Sequence, residues 1–339
     1  MAMAIQEEAV LKPSLPLRTR ISLYLLSTIT DYSCRPDGTM NRRVFHLLDY
    51  CRIRVPPNPN PRNGVKTSDV TVDSSRGLWF RLFVPTTQHS QNLPVIVFFH
   101  GGGFAYLAPD FHGYDAVCRR FARHVPAVVV SVNYRLAPEH HYPAQYNDGF
   151  DVLEFLDKEK DRILPENADV SRCFLAGDSA GGNLAHHVAI RACRSAFTHL
   201  KVMGVVAIQP FFGGEERTKA ETELAEVDLL VSINGRLAVE GVLPEGNRDH
   251  QVINVSGPNA EDISKLDFPA TMVVVAGFDS LKDWQRKYYE WLKRSGKEAY
   301  LLEYPTMIHA FYIFPELPES KHLILEASRF IHNQCSKLE

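Results

Sequence analysis

A serine set between glycines is the first candidate for chemistry in this sequence. The apolar segment RCFLAG (172–177) predicts a buried strand that runs into GDSAG (177–181), and a helical pattern follows at once. A G-x-S-x-G motif between a strand and a helix is typical of a nucleophilic serine held on a sharp turn. Glycines are needed there because a neighbouring Cβ would collide with the crossing strand and helix. Ser179 is therefore the predicted nucleophile.

A glycine-rich segment, HGGGF at 100–104, directly follows another apolar strand pattern. Successive glycines let the backbone approach a substrate and turn its N–H groups inward. We expect the N–H groups of Gly102 and Gly103, with that of Ala180 after the nucleophile, to form an oxyanion hole. His100 is interpreted as a residue that orders this loop. A phosphate-binding loop is the alternative, but no G-K-[ST] sequence follows the glycines.

An acid and a base should follow Ser179 in that order along the chain. Asp279 comes directly after the apolar pattern ATMVVVAG (270–277), and Asp283 lies one helical turn later. The position of Asp283 suits the first turn of a helix, so Asp279 is the preferred orienting acid. His309 lies just past the next strand pattern and has the order and location expected of the general base.

Composition and charge favour a small-molecule ligand. The formal net charge is −3, with 37 Lys and Arg against 40 Asp and Glu, which argues against a nucleic-acid or anionic-membrane surface. The six cysteines are scattered and are expected to be free thiols. No metal-ligand cluster is evident, and the predicted chemistry needs neither metal nor cofactor. Without a secretory signal or an apolar run of about 18–20 residues, a cytoplasmic or nuclear protein is expected.

Near-continuous apolar runs alternate with helical patterns over most of the chain. Such runs are expected of strands that helices cover on both faces. The predicted strands are LPVIVFFH (93–100), AVVVSVN (127–133), RCFLAG (172–177), VMGVVAI (202–208), ATMVVVAG (270–277) and AYLLEYP (299–305). Before them, DVTVDSS and LWFRLFVP predict an antiparallel hairpin. This alternation predicts an α/β protein with a doubly wound, mostly parallel sheet.

An N-terminal arm precedes the sheet. Two helical patterns lie within residues 15–50, and the proline-rich stretch 54–65 predicts an extended linker. Short isolated helices are marginal in water, so we expect the arm to bury its apolar faces against the rest of the protein. The predicted boundaries are 1–60 for the arm and linker and 61–339 for the catalytic domain. Within that domain, residues 215–260 are predicted to be an insertion at the pocket.

Several segments, in order, resemble the plant carboxylesterase family, which is related to hormone-sensitive lipase, in the branch that includes the gibberellin receptors. They are HGGGF, SVNYRLAPEHHYPAQYNDG, FLAGDSAGGN, VVVAGFDSLKDWQ and EYPTMIHAFY. The resemblance covers nearly the whole chain and implies an α/β-hydrolase fold. It implies catalytic roles for Ser179, Asp279 and His309 and an oxyanion loop at Gly102 and Gly103. RPDGTMNRRVFHLLDY and NPNPRNGVKTSDV resemble the extension that forms a helical lid over the hormone in those receptors.

Together these features predict a carboxylesterase that cleaves small-molecule esters through a Ser-His-Asp triad and a covalent acyl-enzyme. Two alternatives stay open. One is a gibberellin-receptor-like protein that binds an uncleaved hormone or metabolite, and only this reading implies a protein partner. The other is a lyase, dehydratase or cyclase of specialised metabolism that reuses the triad. Gibberellin receptors lose the catalytic histidine and carry a Ser in the oxyanion motif, whereas this chain keeps His309 and Gly103.

Overall fold

The structure, a computed structural model of the chain, describes residues 13–33, 35, 41–43, 54–86, 92–224, 242–243 and 247–338. The strands of this part are β1 (Val65–Asp73), β2 (Leu78–Pro85), β3 (Leu93–Phe99), β4 (Val128–Asn133), β5 (Ala168–Asp178), β6 (Val202–Ile208), β7 (Ala270–Phe278) and β8 (Ala299–Ile308). Its α-helices are α1 (Leu17–Ser33), α2 (His112–His124), α3 (Ala144–Ile163), α4 (Ala180–Cys193), α5 (Lys219–Glu223), α6 (Lys282–Arg294) and α7 (Pro318–Cys335). Short 3-10 turns span Phe311–Ile313 and Ser336–Leu338.

All of these strands belong to one sheet, in the order β1-β2-β4-β3-β5-β6-β7-β8. The pairs β1–β2 and β2–β4 are antiparallel, and the pairs from β4 to β8 are parallel. Helices connect most of the parallel strands, as a crossover between parallel strands requires. The doubly wound, mostly parallel sheet predicted from the sequence is confirmed.

Both faces of the sheet are covered, which explains the continuous apolar runs. In β3, Val95 and Val97 pack with one buried cluster, to which α3, α4 and α6 contribute. The alternate residues Ile96 and Phe98 pack with a second cluster, to which α2 and α7 contribute. All four side chains are fully buried. Because successive residues of a strand point to opposite faces, a central strand buried on both faces has to be apolar throughout.

Parallel strands bring their carboxyl ends to one edge of the sheet. The glycine-rich loop follows β3 at this edge, and Ser179 follows β5. Farther along the same edge, Asp279 follows β7 and His309 follows β8. Residues separated by as many as 209 positions in the printed sequence are thus gathered by topology alone.

The N-terminal helix α1 was expected to bury an apolar face, but most of its buried residues are polar. Its inward-facing residues are Thr19, Leu23, Ser27, Thr30 and Ser33, and its exposed apolar side chains are Leu17, Ile21, Tyr24, Leu25 and Tyr32. The buried hydroxyls are satisfied, since Thr19 Oγ1 donates to Glu316 at 2.7 Å and Thr30 Oγ1 donates to the Leu26 carbonyl at 2.9 Å. A polar group that keeps a hydrogen bond can be buried at little cost. The expected burial of an apolar face is therefore not found in α1, whose buried side is mostly polar.

Two sequence predictions extend beyond the described residues. Of the second helical pattern in the arm, only residues 41–43 are described. In the predicted insertion at 215–260, residues 225–241 and 244–246 lie outside the described part, and α5 begins after a capping box formed by Thr218 and Glu221. None of the described helices combines the length and apolar character that crossing a membrane requires.

Candidate active site

Ser179 occupies the turn between β5 and α4, with φ 51° and ψ −120°. Such a backbone conformation costs a residue with a side chain about 1–3 kcal/mol. Hydrogen bonds hold the turn, because the Ser179 N–H donates to the Ile208 carbonyl at 3.0 Å and the Ser179 carbonyl accepts from the Phe211 N–H at 2.8 Å. Ser179 is half-buried although both of its neighbours are buried. The strained turn thus exposes one serine at the edge of a closed core.

The glycines around Ser179 permit three backbone segments to meet. A Cβ on Gly181 would lie 2.0 Å from the carbonyl oxygen of Phe99, at the end of β3. A Cβ on Gly177 would lie 2.4 Å from the carbonyl oxygen of Gly181. Real Cβ atoms do not approach backbone oxygens so closely, so any side chain here would force α4 away from the sheet.

The glycine-rich loop contains two glycines with positive φ and one tight turn. Gly102 and Gly103 have φ values of 102° and 58°, in the region that favours glycine. The Gly102 carbonyl accepts the N–H groups of Ala105 at 3.0 Å and Tyr106 at 2.9 Å, which closes a tight turn. No acceptor among the described residues pairs with the N–H of Gly102, Gly103 or Ala180. These are the three donors expected to form an oxyanion hole.

Asp178 connects the nucleophile turn to the glycine-rich loop. Its Oδ1 accepts the N–H of Gly101 at 2.9 Å, and its Oδ2 accepts the hydroxyl of Tyr114 at 3.1 Å. Complete burial raises the pKa of Asp178 to about 6, an effect that its hydrogen bonds and the nearby His309 oppose only in part. The residue before the predicted nucleophile is therefore a buried structural carboxyl.

His100 is enclosed at the start of the same loop. Its ring stacks on Tyr134 with 4.3 Å between centroids, and its Nδ1 lies 2.8 Å from the Gly101 carbonyl. Burial lowers the pKa of His100 to about 4, so the ring is neutral near pH 7. These contacts agree with the interpretation of His100 as a loop-ordering residue.

Asp279 and His309 are brought into direct contact. The Nδ1 of His309 donates to Oδ2 of Asp279 at 2.8 Å. Asp279 is fully buried and His309 is 6% exposed. The Oδ1 of Asp279 accepts the N–H of Leu281 at 2.9 Å, so both carboxylate oxygens are engaged. Because Nδ1 donates to the carboxylate, Nε2 is the ring nitrogen that carries no proton in the neutral tautomer.

Asp283 has a different environment. Its Oδ2 accepts the N–H of Ala220 in α5 at 2.9 Å, and it lies in the first turn of α6. Its carboxylate thus connects two helices. Of the two aspartates weighed from the sequence, the structure brings Asp279 to His309.

Sequence reasoning missed two glutamines that donate to Asp279. Gln209, which directly follows β6, donates from Nε2 to Asp279 Oδ2 at 3.0 Å, and Gln285 in α6 donates to the same oxygen at 2.8 Å. Both residues are fully buried. Gln209 could have been noticed, because it is a polar residue placed directly after an apolar strand, as Asp279 is. Among the described residues, no group of three potential metal ligands occurs.

Comparisons with known proteins bear on the family and the fold of the chain. A family model described as having the alpha/beta hydrolase fold matches residues 96–313. The chain is 38% identical to gibberellin receptor GID1C of Arabidopsis thaliana over 339 residues, 96% of each chain. It is 34% identical to carboxylesterase 20 of the same plant, over 78% of this chain and 84% of that one. A solved ester hydrolase from the metagenome of Lake Arreo superimposes with a TM-score of 0.75 at 26% identity, covering 95% of this chain and 100% of that one.

Proposed function

This chain belongs to the α/β-hydrolase family, and we propose that it is a serine carboxylesterase acting on small-molecule esters. The observation that carries the proposal is the 2.8 Å hydrogen bond between His309 and Asp279, at the sheet edge where Ser179 occupies a strained turn. The names of carboxylesterase 20 and of the Lake Arreo ester hydrolase support the same reaction class.

In the first half of the reaction, Ser179 Oγ attacks the ester carbonyl carbon while Nε2 of His309 accepts the hydroxyl proton. Asp279 holds the imidazole in the required tautomer and stabilises the imidazolium that forms. The carbonyl oxygen becomes negatively charged and accepts hydrogen bonds from the oxyanion N–H groups. His309 then returns the proton to the leaving oxygen, so an alcohol departs and an acyl-Ser179 ester remains.

In the second half, a water molecule attacks the acyl carbon and His309 accepts its proton. The tetrahedral intermediate collapses when the proton passes from His309 to Ser179 Oγ. A carboxylic acid is released and the serine hydroxyl is restored. One water is consumed per ester and no cofactor takes part.

The oxyanion donors should supply a large share of the rate enhancement. The N–H groups of Gly102, Gly103 and Ala180 are backbone groups fixed before substrate arrives, so little reorganisation is needed. Removing one such donor typically costs about 10²–10³ in kcat. The N-terminus of α4 adds a partial positive charge beside the same oxygen.

A second function has one observation in its favour. The 38% identity to gibberellin receptor GID1C extends over 96% of both chains and includes the N-terminal arm. A receptor could keep the same pocket and hold its ligand uncleaved. Such a receptor needs no buried Asp279–His309 pair at the sheet edge that also holds a strained serine, so hydrolysis is the better supported function.

Turnover of p-nitrophenyl acetate and labelling by a fluorophosphonate test the proposal. The wild-type protein should release p-nitrophenol and be labelled on Ser179, and Ser179→Ala should do neither while remaining folded. A folded wild-type protein that neither cleaves esters from acetate to laurate nor reacts with the probe would refute the esterase. Saturable binding of an uncleaved gibberellin by that inactive protein would establish the receptor instead.

A further inference from the structure

Gln209 is a fully buried amide located between the acid and the histidine loop. We infer that Gln209 is a positioning residue that holds the loop carrying His309 against Asp279, an inference that rests on the proposed function. Gln209 does not touch the reacting atoms. It acts through Asp279, which orients the imidazole, and through His309, which transfers the proton.

All of the hydrogen-bonding groups of the Gln209 side chain are engaged at this site. Nε2 donates to Asp279 Oδ2 at 3.0 Å and to the carbonyl of Ile308 at 3.1 Å. Oε1 accepts the N–H of Ala310 at 2.8 Å. Ile308 and Ala310 are the residues immediately before and after His309. One side chain therefore fixes both ends of the tripeptide that carries the base and also contacts the acid.

Only an amide provides this combination of groups. Asp279 and the Ile308 carbonyl can only accept, and the Ala310 N–H can only donate, so the site requires two donors and one acceptor. A carboxylate lacks the donors, and an apolar side chain of the same length lacks all three groups. These partners also determine which of the two terminal atoms of the side-chain amide is the nitrogen.

The backbone of Gln209 supports the same role. Its φ is 45°, an uncommon value for a residue with a side chain, and its N–H donates to the Val274 carbonyl of β7 at 2.9 Å. Ala310 also has a positive φ, 58°. Strained residues persist only where surrounding contacts hold them, and they cluster at functional sites. The hydrogen bonds of Gln209 thus connect this strained residue, which follows β6, to β7 and to the strained Ala310 beyond the end of β8.

Gln285 offers a matched control. It donates to the same Asp279 oxygen at 2.8 Å and is equally buried. None of its described hydrogen bonds reaches Ile308, His309 or Ala310. Gln285→Met therefore removes one donor to the acid, whereas Gln209→Met removes one donor and also releases the histidine loop.

Steady-state kinetics of the two variants with p-nitrophenyl acetate separate the roles. Misplacing a catalytic group by about 1 Å costs on the order of 10²-fold, so Gln209→Met should lower kcat by about 10- to 100-fold with KM changed less than about threefold. Gln285→Met should lose less than about fivefold in kcat. Equal losses in the two folded variants, or a Gln209→Met variant with wild-type kcat, would overturn the inference.

A titration of His309 by NMR gives a readout that does not depend on turnover. Removing a donor to Asp279 leaves more negative charge facing the imidazole, so the pKa of His309 should rise in Gln209→Met. Gln209→Glu keeps the side-chain size and an acceptor for Ala310, and decides the question if the Met variant does not fold. It should also lower kcat and raise the pKa of His309. Wild-type values of both quantities in Gln209→Glu would refute the role.

The two proposals fail separately. A wild-type protein without ester turnover or fluorophosphonate labelling would refute the esterase. The change in the pKa of His309 between that protein and its Gln209→Met variant would still show whether Gln209 controls the histidine.

Discussion

The carboxylate of Asp178 and the N–H of Gly101 are joined by a hydrogen bond of 2.9 Å. Asp178 immediately precedes the predicted nucleophile, and Gly101 begins the segment that holds the oxyanion glycines. The hydroxyl of Tyr114 contacts both, at 2.7 Å from the Gly101 nitrogen and 3.1 Å from Asp178 Oδ2. Separating the turn from the loop would leave a buried carboxyl partly unpaired, which is costly. These hydrogen bonds therefore fix the distance between the predicted nucleophile and the predicted oxyanion donors.

Asp178 should be visible in the pH dependence of unfolding. Burial raises its pKa from 3.8 to about 6, so between these values the folded protein keeps a proton that the unfolded chain releases. The native state binds more protons in this window, and stability from this group falls as the pH rises, by on the order of 3 kcal/mol in total. Asp178→Asn removes this pH-dependent loss. The free energy of unfolding of Asp178→Asn minus that of wild type should therefore be larger at about pH 7 than at about pH 4.

Urea unfolding of both proteins at the two pH values measures this change. Asp157→Asn is a control, since Asp157 is also bonded to backbone N–H groups but its pKa is lowered. A difference between Asp178→Asn and wild type that is the same at both pH values would mean that Asp178 ionises at its ordinary pKa.

The proposed triad predicts non-additive losses of activity. Ser179→Ala, Asp279→Asn and His309→Ala should each reduce kcat by on the order of 10⁴–10⁶, and a double variant should be little worse. The three groups act as one unit, so removing any of them removes the proton transfer. Asp283→Asn is the matched control, because its carboxylate accepts from Ala220 N–H and not from His309. A large loss of kcat in Asp283→Asn together with a small loss in Asp279→Asn would reverse the assignment of the acid.

The close approach of α4 to β3 predicts the effect of Gly181→Ala. The added Cβ would lie 2.0 Å from the Phe99 carbonyl oxygen, and only a backbone shift can relieve that contact. We expect a loss of stability of at least about 2–4 kcal/mol, together with loss of ester turnover. Gly296→Ala is the control that distinguishes backbone strain from a steric clash. Gly296 has φ +72°, but an added Cβ would have nothing within 4 Å. It should cost only about 1 kcal/mol and leave kcat unchanged. Equal melting temperatures for the two variants would contradict this account.

Local patterns in the sequence were sufficient for the sheet and for the order of the site residues. Apolar runs such as 93–100 mark central strands because both faces of the sheet are covered. The ends of parallel strands then gather the glycine loop, Ser179, Asp279 and His309 without any knowledge of distances. The choice between Asp279 and Asp283 also rested on position alone, relative to the end of a strand.

Two features could not be predicted because they depend on tertiary partners. The role of Gln209 exists only once Asp279 and Ala310, 70 and 101 residues away, are brought to it. The mostly hydroxyl-bearing buried side of α1 was not predicted, because hydrophobicity does not register a hydroxyl such as that of Thr30, which bonds to its own helix. Hydrogen bonds that satisfy buried polar groups are specific pairings, and periodicity carries no information about them.

Arg42 connects the N-terminal arm to the body of the protein beside the oxyanion loop. Its Nε and Nη2 donate to Glu139 at 2.9 and 2.7 Å. The guanidinium also donates to the carbonyls of Ala105 and Ala137. The hydrogen bond from Arg42 lowers the pKa of Glu139. Ala105 lies two residues after Gly103, so this contact joins the arm to the segment that carries the predicted oxyanion donors.

If the arm is a lid over the site, Arg42→Ala should impair binding of large substrates more than of small ones. A lid supplies apolar contacts and excludes water from a bulky ester, whereas acetate depends mainly on the oxyanion donors. We expect KM for a long-chain p-nitrophenyl ester to rise by about 3- to 10-fold, and KM for the acetate by less than about twofold. Arg162→Ala removes a surface ion pair on α3 with Glu159 and should change neither value. An equal rise in KM across the ester series, or none, would show that the arm packs away from the substrate.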